Sequence, residues 1–261
     1  STHCISSAAS DVYKRQSKYQ YFIWAPFGDR FASVSAQLAN NVSGVATKEA
    51  TLPGDVAKYD LVIIDLFCSS GTQRVTKTSL SAEELQTLNT YMGEGGRVYL
   101  QAEDLTWTTA NAIARTIARQ LNADFQISTT IGMPSTNYTR VQCPAEGQYL
   151  NNGAGGWNLF AASAIETAGA TGVKQIFTAQ AYSGHYGNEG TGGTYRGWYP
   201  FCVDQEAGNK NGIKYGRLTV SSDGNFWGKD YWGNSTAKNA STFLGNCLLY
   251  TSPSPRDQRG S

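Results

Sequence analysis

The chain has 261 residues, with 21 Lys and Arg against 20 Asp and Glu, a formal net charge of +1. That balance offers no basic field for a nucleic-acid backbone, and no run of about 18 apolar residues is present to cross a membrane. Charged residues make up only 16%, whereas 28 Gly, 15 Tyr and 6 Trp are present. That composition resembles extracellular bacterial proteins, so a secreted or cell-surface setting is the expectation.

The first segment, "SSAASDVYKRQ" at 6–16, has no hydrophobic period and no signal-peptide shape. It can be back-translated in full as a transposase sequencing-library adapter, which it resembles over all of 6–16. "CLLYTSPSPRD" at 247–257 resembles the opposite-end adapter in the same way. Residues 1–16 and 247–261 are therefore expected to be translated adapter. Residues 17–246 are expected to be one α/β domain, a fragment of a longer protein. Setting aside Lys14, Arg15, Arg256 and Arg259 with Asp11 and Asp257 leaves 17–246 near neutral, at −1. Cys68, Cys143 and Cys202 remain, with His185 as the single histidine. A Cys143–Cys202 bridge and three free thiols are both compatible with that count.

"YQYFIWAP" (19–26) is apolar and stops at Pro26, which predicts a buried first strand. "DRFASVSAQLANN" (29–41) has helical spacing, and "VATKEA" (45–50) alternates as a short strand does. "YDLVIIDLF" (59–67) is nearly continuous in apolar residues, the pattern of a central parallel strand covered on both faces. "SLSAEELQTLNTYMGEGG" (79–96) opens on Ser81 and Glu84, a capping box. It carries Leu85, Leu88 and Met92 as a stripe and ends on Gly95-Gly96. "RVYLQAED" (97–104) follows as a strand. "TTANAIARTIARQLNA" (108–123) reads as a helix capped by Thr108 or Thr109, and "DFQIST" (124–129) as a further strand.

From 130 to about 212 the pattern loosens into an irregular, loop-rich insertion. A helical or turn piece and one strand near 174–179 are expected within 163–182. The Gly- and Tyr-rich stretch 183–201 reads as a long loop. Arg217–Ser221 is a last core strand, and 234–246 a closing helix. The alternation of strands and helices predicts α/β, a three-layer sandwich with a mostly parallel sheet.

Three pieces in order, "YDLVIIDLF", "SAEELQTLNTYMGEGGRVYL" with "TANAIARTIARQLNADFQI", and "GRLTVSSDGNFW" with "KNASTFLGN", resemble the class I glutamine-amidotransferase-like superfamily. The likeness is to its flavodoxin-like, ThuA-like and DUF4350-like branches and to their non-catalytic extracellular members. It covers 59–129 and 213–246. The resemblance implies a nucleophilic Cys on the elbow after "GGRVYL", with a partner His. What stands there is Gln101, Ala102, Glu103 and Asp104, so the elbow nucleophile is absent.

Several residues remain as candidates. Cys68 follows the 59–67 strand and could pair with His185, or be a half-buried strand-end thiol. Glu103 and Asp104, with Asp223 and Asp65 at other strand ends, could do acid/base work or bind a cation. Equally, they could be a helix N-terminal pair with hydrogen-bonded strand-end aspartates. Tyr186, Tyr195, Trp198 and Tyr199, with Asn188 and Glu189, suit the faces and hydroxyls of sugars, or pin a loop to the sheet. One His and three scattered Cys give no metal-ligand spacing, so neither metal nor cofactor is expected. The expected function is a non-catalytic binding or spacer module whose partner is a glycan or a neighbouring domain of the same chain. The alternative is a carbohydrate-active or ThuA-like enzyme built on the strand-end carboxylates.

Overall fold

The structure is a computed structural model that describes residues 19–24, 44–66, 77–133, 139–151, 158–159, 162–183, 193–223, 242–243 and 245–247. The first half alternates as expected: β1 (Tyr19–Trp24), β2 (Gly44–Glu49), β3 (Leu61–Ile64), α1 (Ala82–Gly93), β4 (Arg97–Gln101) and α2 (Thr108–Gln120). Then come β5 (Gln126–Gly132), β6 (Thr139–Arg140), a short α3 (Gln148–Asn151), β7 (Asn158–Leu159) and β8 (Ser163–Glu166). The chain continues through β9 (Val173–Ser183), β10 (Thr194–Gln205), β11 (Gly208–Lys210), β12 (Ile213–Tyr215) and β13 (Arg217–Ser221).

Nine strands form one sheet in the order β2-β1-β3-β4-β13-β10-β9-β5-β8. The first five are parallel. Their winding is the 2-1-3-4-5 order of flavodoxin-like folds. Leu61 and Ile63 of β3 enter one core cluster and Val62 and Ile64 the other, as the two-residue period requires. Helices α1 and α2 cover the second face with Leu88, Tyr91, Met92, Ile113 and Ile117. Val141, Leu150 and Phe243 cover the first face, where Phe243 lies 5.5 Å from Phe177. Those are the three layers.

Local signals hold where side chains meet their own backbone. Ser81 accepts from Glu84 N at 3.2 Å, and Ser81 N donates back to Glu84 Oε2 at 2.7 Å. Gly95 then takes φ 95°, and a Cβ on Gly96 would sit 2.5 Å from the Tyr91 ring. The start of α2 differs from expectation. Its N-cap is Trp107 with no side-chain cap bond, and neither Thr108 nor Thr109 serves.

The 130–212 stretch departs most from expectation. Its described strands β8, β9 and β10 form, with β5, the antiparallel half of the sheet rather than an irregular insertion. The 163–166 piece is strand β8 rather than helix or turn, and Tyr195, Trp198 and Tyr199 lie on β10 rather than on a loop. Register shifts at Tyr195/Gly197, Pro200/Cys202 and Cys202/Val203 break the two-residue alternation by which strands are recognised. The expected helix at 29–41 lies outside the described residues. Of the closing helix at 234–246, Thr242, Phe243, Gly245 and Asn246 are described, all helical. Cys143 and Cys202 are not joined by a disulfide. Cys247, the first residue of the expected adapter tail, is buried beside Cys202, and burial pushes its thiol up to about 12.

Candidate functional site at the carboxyl edge

Open α/β sheets bind ligands beyond the carboxyl ends of their parallel strands. At that edge β3, β4 and β13 run side by side. Ile64 pairs with Leu100, and Ser221 with Gln101, so Asp65 stands level with Gln101 and Ser221. Asp65 N donates to Trp24 O at 2.9 Å, and Ala102 N to Ser221 O at 2.7 Å, carrying the ladder one residue past each strand. Glu103 and Asp223 come next along the chain.

Asp65, Glu103 and Asp223 are buried, at 1%, 3% and 1% exposure. Burial pushes the Glu103 carboxyl well above the usual carboxylate range, and the nearby Asp223, Asp104 and Asp65 carboxylates push the same way. Glu103 Oε2 accepts from Asp104 N at 3.3 Å, whereas its Oε1 and the Ser221 hydroxyl are buried with no hydrogen-bond partner among the described residues. The strand-end carboxylates thus come together in one buried cluster. Asp104 is different. Its carboxylate accepts from the backbone N–H and the hydroxyl of Thr106, fixing the turn, and burial raises its pKa despite those bonds.

One residue that sequence reasoning missed holds this turn. Asn111, buried on α2, accepts from Glu103 N at 3.0 Å. It donates to Glu103 O at 2.9 Å, to Asp104 O, and to Ser163 Oγ at 3.0 Å on β8. The signal in the sequence was an Asn among the Ala, Thr and Ile of a helix, where it is a poor former without a tertiary partner. After β4, where the resemblance implies a thiol, this chain has Glu103, its side chain buried and its backbone held by the Asn111 amide.

The same edge is overhung by a hairpin. Strand β10 runs antiparallel to β13 with Cys202 opposite Ser221, so residues 194–200 extend past the ends of the parallel strands together with the end of β9. Tyr195 pairs with Tyr182, and Trp198 with Gln180. The Tyr182 and Tyr195 rings are 5.6 Å apart, and Tyr182 Oη donates to Gln180 Oε1 at 3.3 Å. Tyr195 and Trp198 are three apart and would face opposite ways in a regular strand. The bulge at Arg196 and Gly197, with Gly197 at φ 111°, brings them to one face. They are the large hydrophobic side chains left exposed among the described residues, at 50% and 47%. Tyr199 packs instead against the first-face core. Cys68, His185, Tyr186, Asn188 and Glu189 lie outside the described residues.

Among the described residues, no group of three or more His, Cys, Asp or Glu is arranged to hold a metal ion.

No protein-family model matches the sequence, and no curated protein is similar to it. Solved structures are similar in fold. The N-terminal domain of mmIFT52 superposes with a TM-score of 0.55 at 11% identity, over 90% of this chain and 98% of that one. A cytoplasmic protein of Salmonella typhimurium matches with a TM-score of 0.54 at 8% identity, over 89% and 98% of the two chains. A protein of Bacteroides uniformis named as ThuA-like matches with a TM-score of 0.54 at 11% identity, over 91% and 94%. The chain therefore shares its α/β architecture, a mixed sheet with a parallel, flavodoxin-like core, with these three structures.

Proposed function

We propose that this chain is a non-catalytic, amidotransferase-like binding module of a secreted or surface bacterial protein, and that it holds a glycan against Tyr195 and Trp198. The observation that supports this is the exposed aromatic face of the β9–β10 hairpin. Apolar rings this exposed on a folded domain mark binding surfaces when they cluster. Tyr195 and Trp198 supply flat faces for pyranose C–H groups. Gln180 and the Tyr182 hydroxyl, on the same face, supply partners for sugar hydroxyls. The elbow carries no thiol, consistent with binding rather than acyl transfer.

Affinity electrophoresis through gels containing soluble xylan, galactan, mannan or hydroxyethyl-cellulose tests the reading. The expected result is retardation by at least one polysaccharide, weakened about tenfold by Trp198→Ala, as for a stacked hot-spot residue. Gly197→Ala is expected to weaken retardation too, because a Cβ at φ 111° disfavours the bulge that aligns the two rings. Migration unaffected by every polysaccharide sinks the proposal.

A second reading has its own support. Glu103 is buried beside Asp223, and among the described residues one of its oxygens lacks a hydrogen bond; burial shifts its carboxyl in the direction a general acid needs. On that reading the chain is a carbohydrate-active enzyme. Hydrolysis of aryl glycosides, abolished by Glu103→Gln and Asp223→Asn while thermal stability persists, would favour it over the binding module.

A further inference from the structure

Away from the carboxyl edge, between α2 and β5, lies an open groove of about 450 Å³. Arg115, Thr116 and Arg119 of α2 form one wall, with Phe125 and Ile127 beneath and Gln126 at the rim. The size falls in the range of about 300–1,000 Å³ typical of small-molecule sites.

The two guanidinium groups stand one helical turn apart on the same flank of α2, where like charges repel. Among the described residues neither is part of an ion pair. Arg119 Nη2 donates only to Thr116 Oγ1, at 3.4 Å. Glu166, opposite Gln126 across the β5–β8 ladder, joins neither arginine. Burial, and then the Arg119 charge, hold the half-buried Arg115 below the ordinary arginine value. An anion bridging the pair would relieve that repulsion, and the guanidinium fork matches a carboxylate in geometry. Phe125 and Ile127 belong to the second-face core and present an apolar floor beside the two charges.

We propose that this groove binds a small organic carboxylate, its charged end held by Arg115 and Arg119 and its apolar body lying on Phe125 and Ile127. The site is separate from the hairpin face and does not depend on the glycan reading.

The experiment uses the whole chain at low salt, with 1-anilinonaphthalene-8-sulfonate as a fluorescent anionic probe and benzoate as the competitor. Expected are a saturable rise in fluorescence, displacement by millimolar benzoate, and a loss of affinity of about tenfold in the Arg115→Gln/Arg119→Gln double variant. Trp198→Ala should leave both curves unchanged, which separates this groove from the hairpin. If the double variant fails to melt cooperatively, the exposed Arg119→Gln alone decides, with Arg119→Lys expected to recover part of the loss. Probe fluorescence that benzoate does not displace, or affinity unchanged in the arginine variants, overturns the proposal.

Discussion

Arg97 and Glu103 stand at opposite ends of β4, both buried, in opposite electrostatic company. Arg97, at 0% exposure, lies with its Nη1 3.5 Å from Asp204 Oδ1 and donates to Thr219 Oγ1 at 3.3 Å. Asp204, also at 0%, accepts from Thr219 Oγ1 at 2.7 Å, from Arg217 Nε at 3.1 Å and from the Tyr149 hydroxyl. Opposite charges meet there, and the network ties β4, β10, β13 and α3 together. Burial and the Asp204 carboxylate raise the Tyr149 pKa, so its hydroxyl stays a donor. At the other end the charged groups that act on Glu103 are the carboxylates of Asp223, Asp104 and Asp65, and among the described residues one of its oxygens has no hydrogen bond. The first arrangement fastens the sheet. The second raises the pKa of a carboxyl through burial and like charge.

Substitutions at the two ends should therefore differ in size and in sign. Asp204→Ala is expected to have the largest effect, a loss of about 3–5 kcal/mol, because it leaves a buried guanidinium without its counter-charge. Urea unfolding measures it, and a loss under about 1 kcal/mol would mean that Asp204 is not what balances Arg97. Asn111→Ala comes next. It strips hydrogen bonds from buried backbone groups of the Glu103–Asp104 turn, at a cost of about 1–3 kcal/mol. A normal melting curve would show that the turn holds its shape without the amide.

Glu103→Gln should act in the opposite direction, and only in part of the pH range. The folded carboxyl keeps its proton to a higher pH than the unfolded one, whose value is near 4.5. Stability therefore falls as pH rises from there through the folded value, and the penalty is complete above it. Glutamine removes that penalty, which amounts to about 1.4 kcal/mol for each tenfold difference in proton affinity between the folded and unfolded carboxyl. The variant should match the parent near the unfolded value and exceed it in mildly alkaline buffer. A difference that stays constant with pH would show that the cluster is neutralised in some other way. Trp198→Ala, on the exposed hairpin, should change stability by no more than about 0.5 kcal/mol while altering polysaccharide retardation. A large drop in melting temperature would instead make the ring a packing element.

The parallel half of the sheet was legible because its signals are local. "LVII" is apolar without interruption, Ser81 and Glu84 cap the helix they begin, and Gly95-Gly96 end it. The antiparallel half was not. β9 reads "VKQIFTAQAYS", with the polar Thr178 buried among apolar residues, and β10 carries three register shifts. At the candidate site, Glu103, Asp104 and Asp223 could be named from their places at strand ends. Asn111 could not, because its side chain bonds back to Glu103 and across to Ser163, far along the chain. The hairpin aromatics were legible as a group, but Tyr199 separates from Tyr195 and Trp198 once the bulge sets which way each one faces.

By itself the sequence determined the α/β class, the capped helix α1, the order of the parallel strands along the chain and the lack of a thiol at the elbow. Each of these follows from a short window of residues acting on its own backbone. Only the tertiary structure decided that β8, β9 and β10 complete the sheet, that Asp65, Glu103 and Asp223 share one buried site, and that Arg97 is balanced by Asp204. Strand pairing and charge burial depend on what comes alongside from elsewhere in the chain, and a bulge of one residue reverses which face each side chain meets.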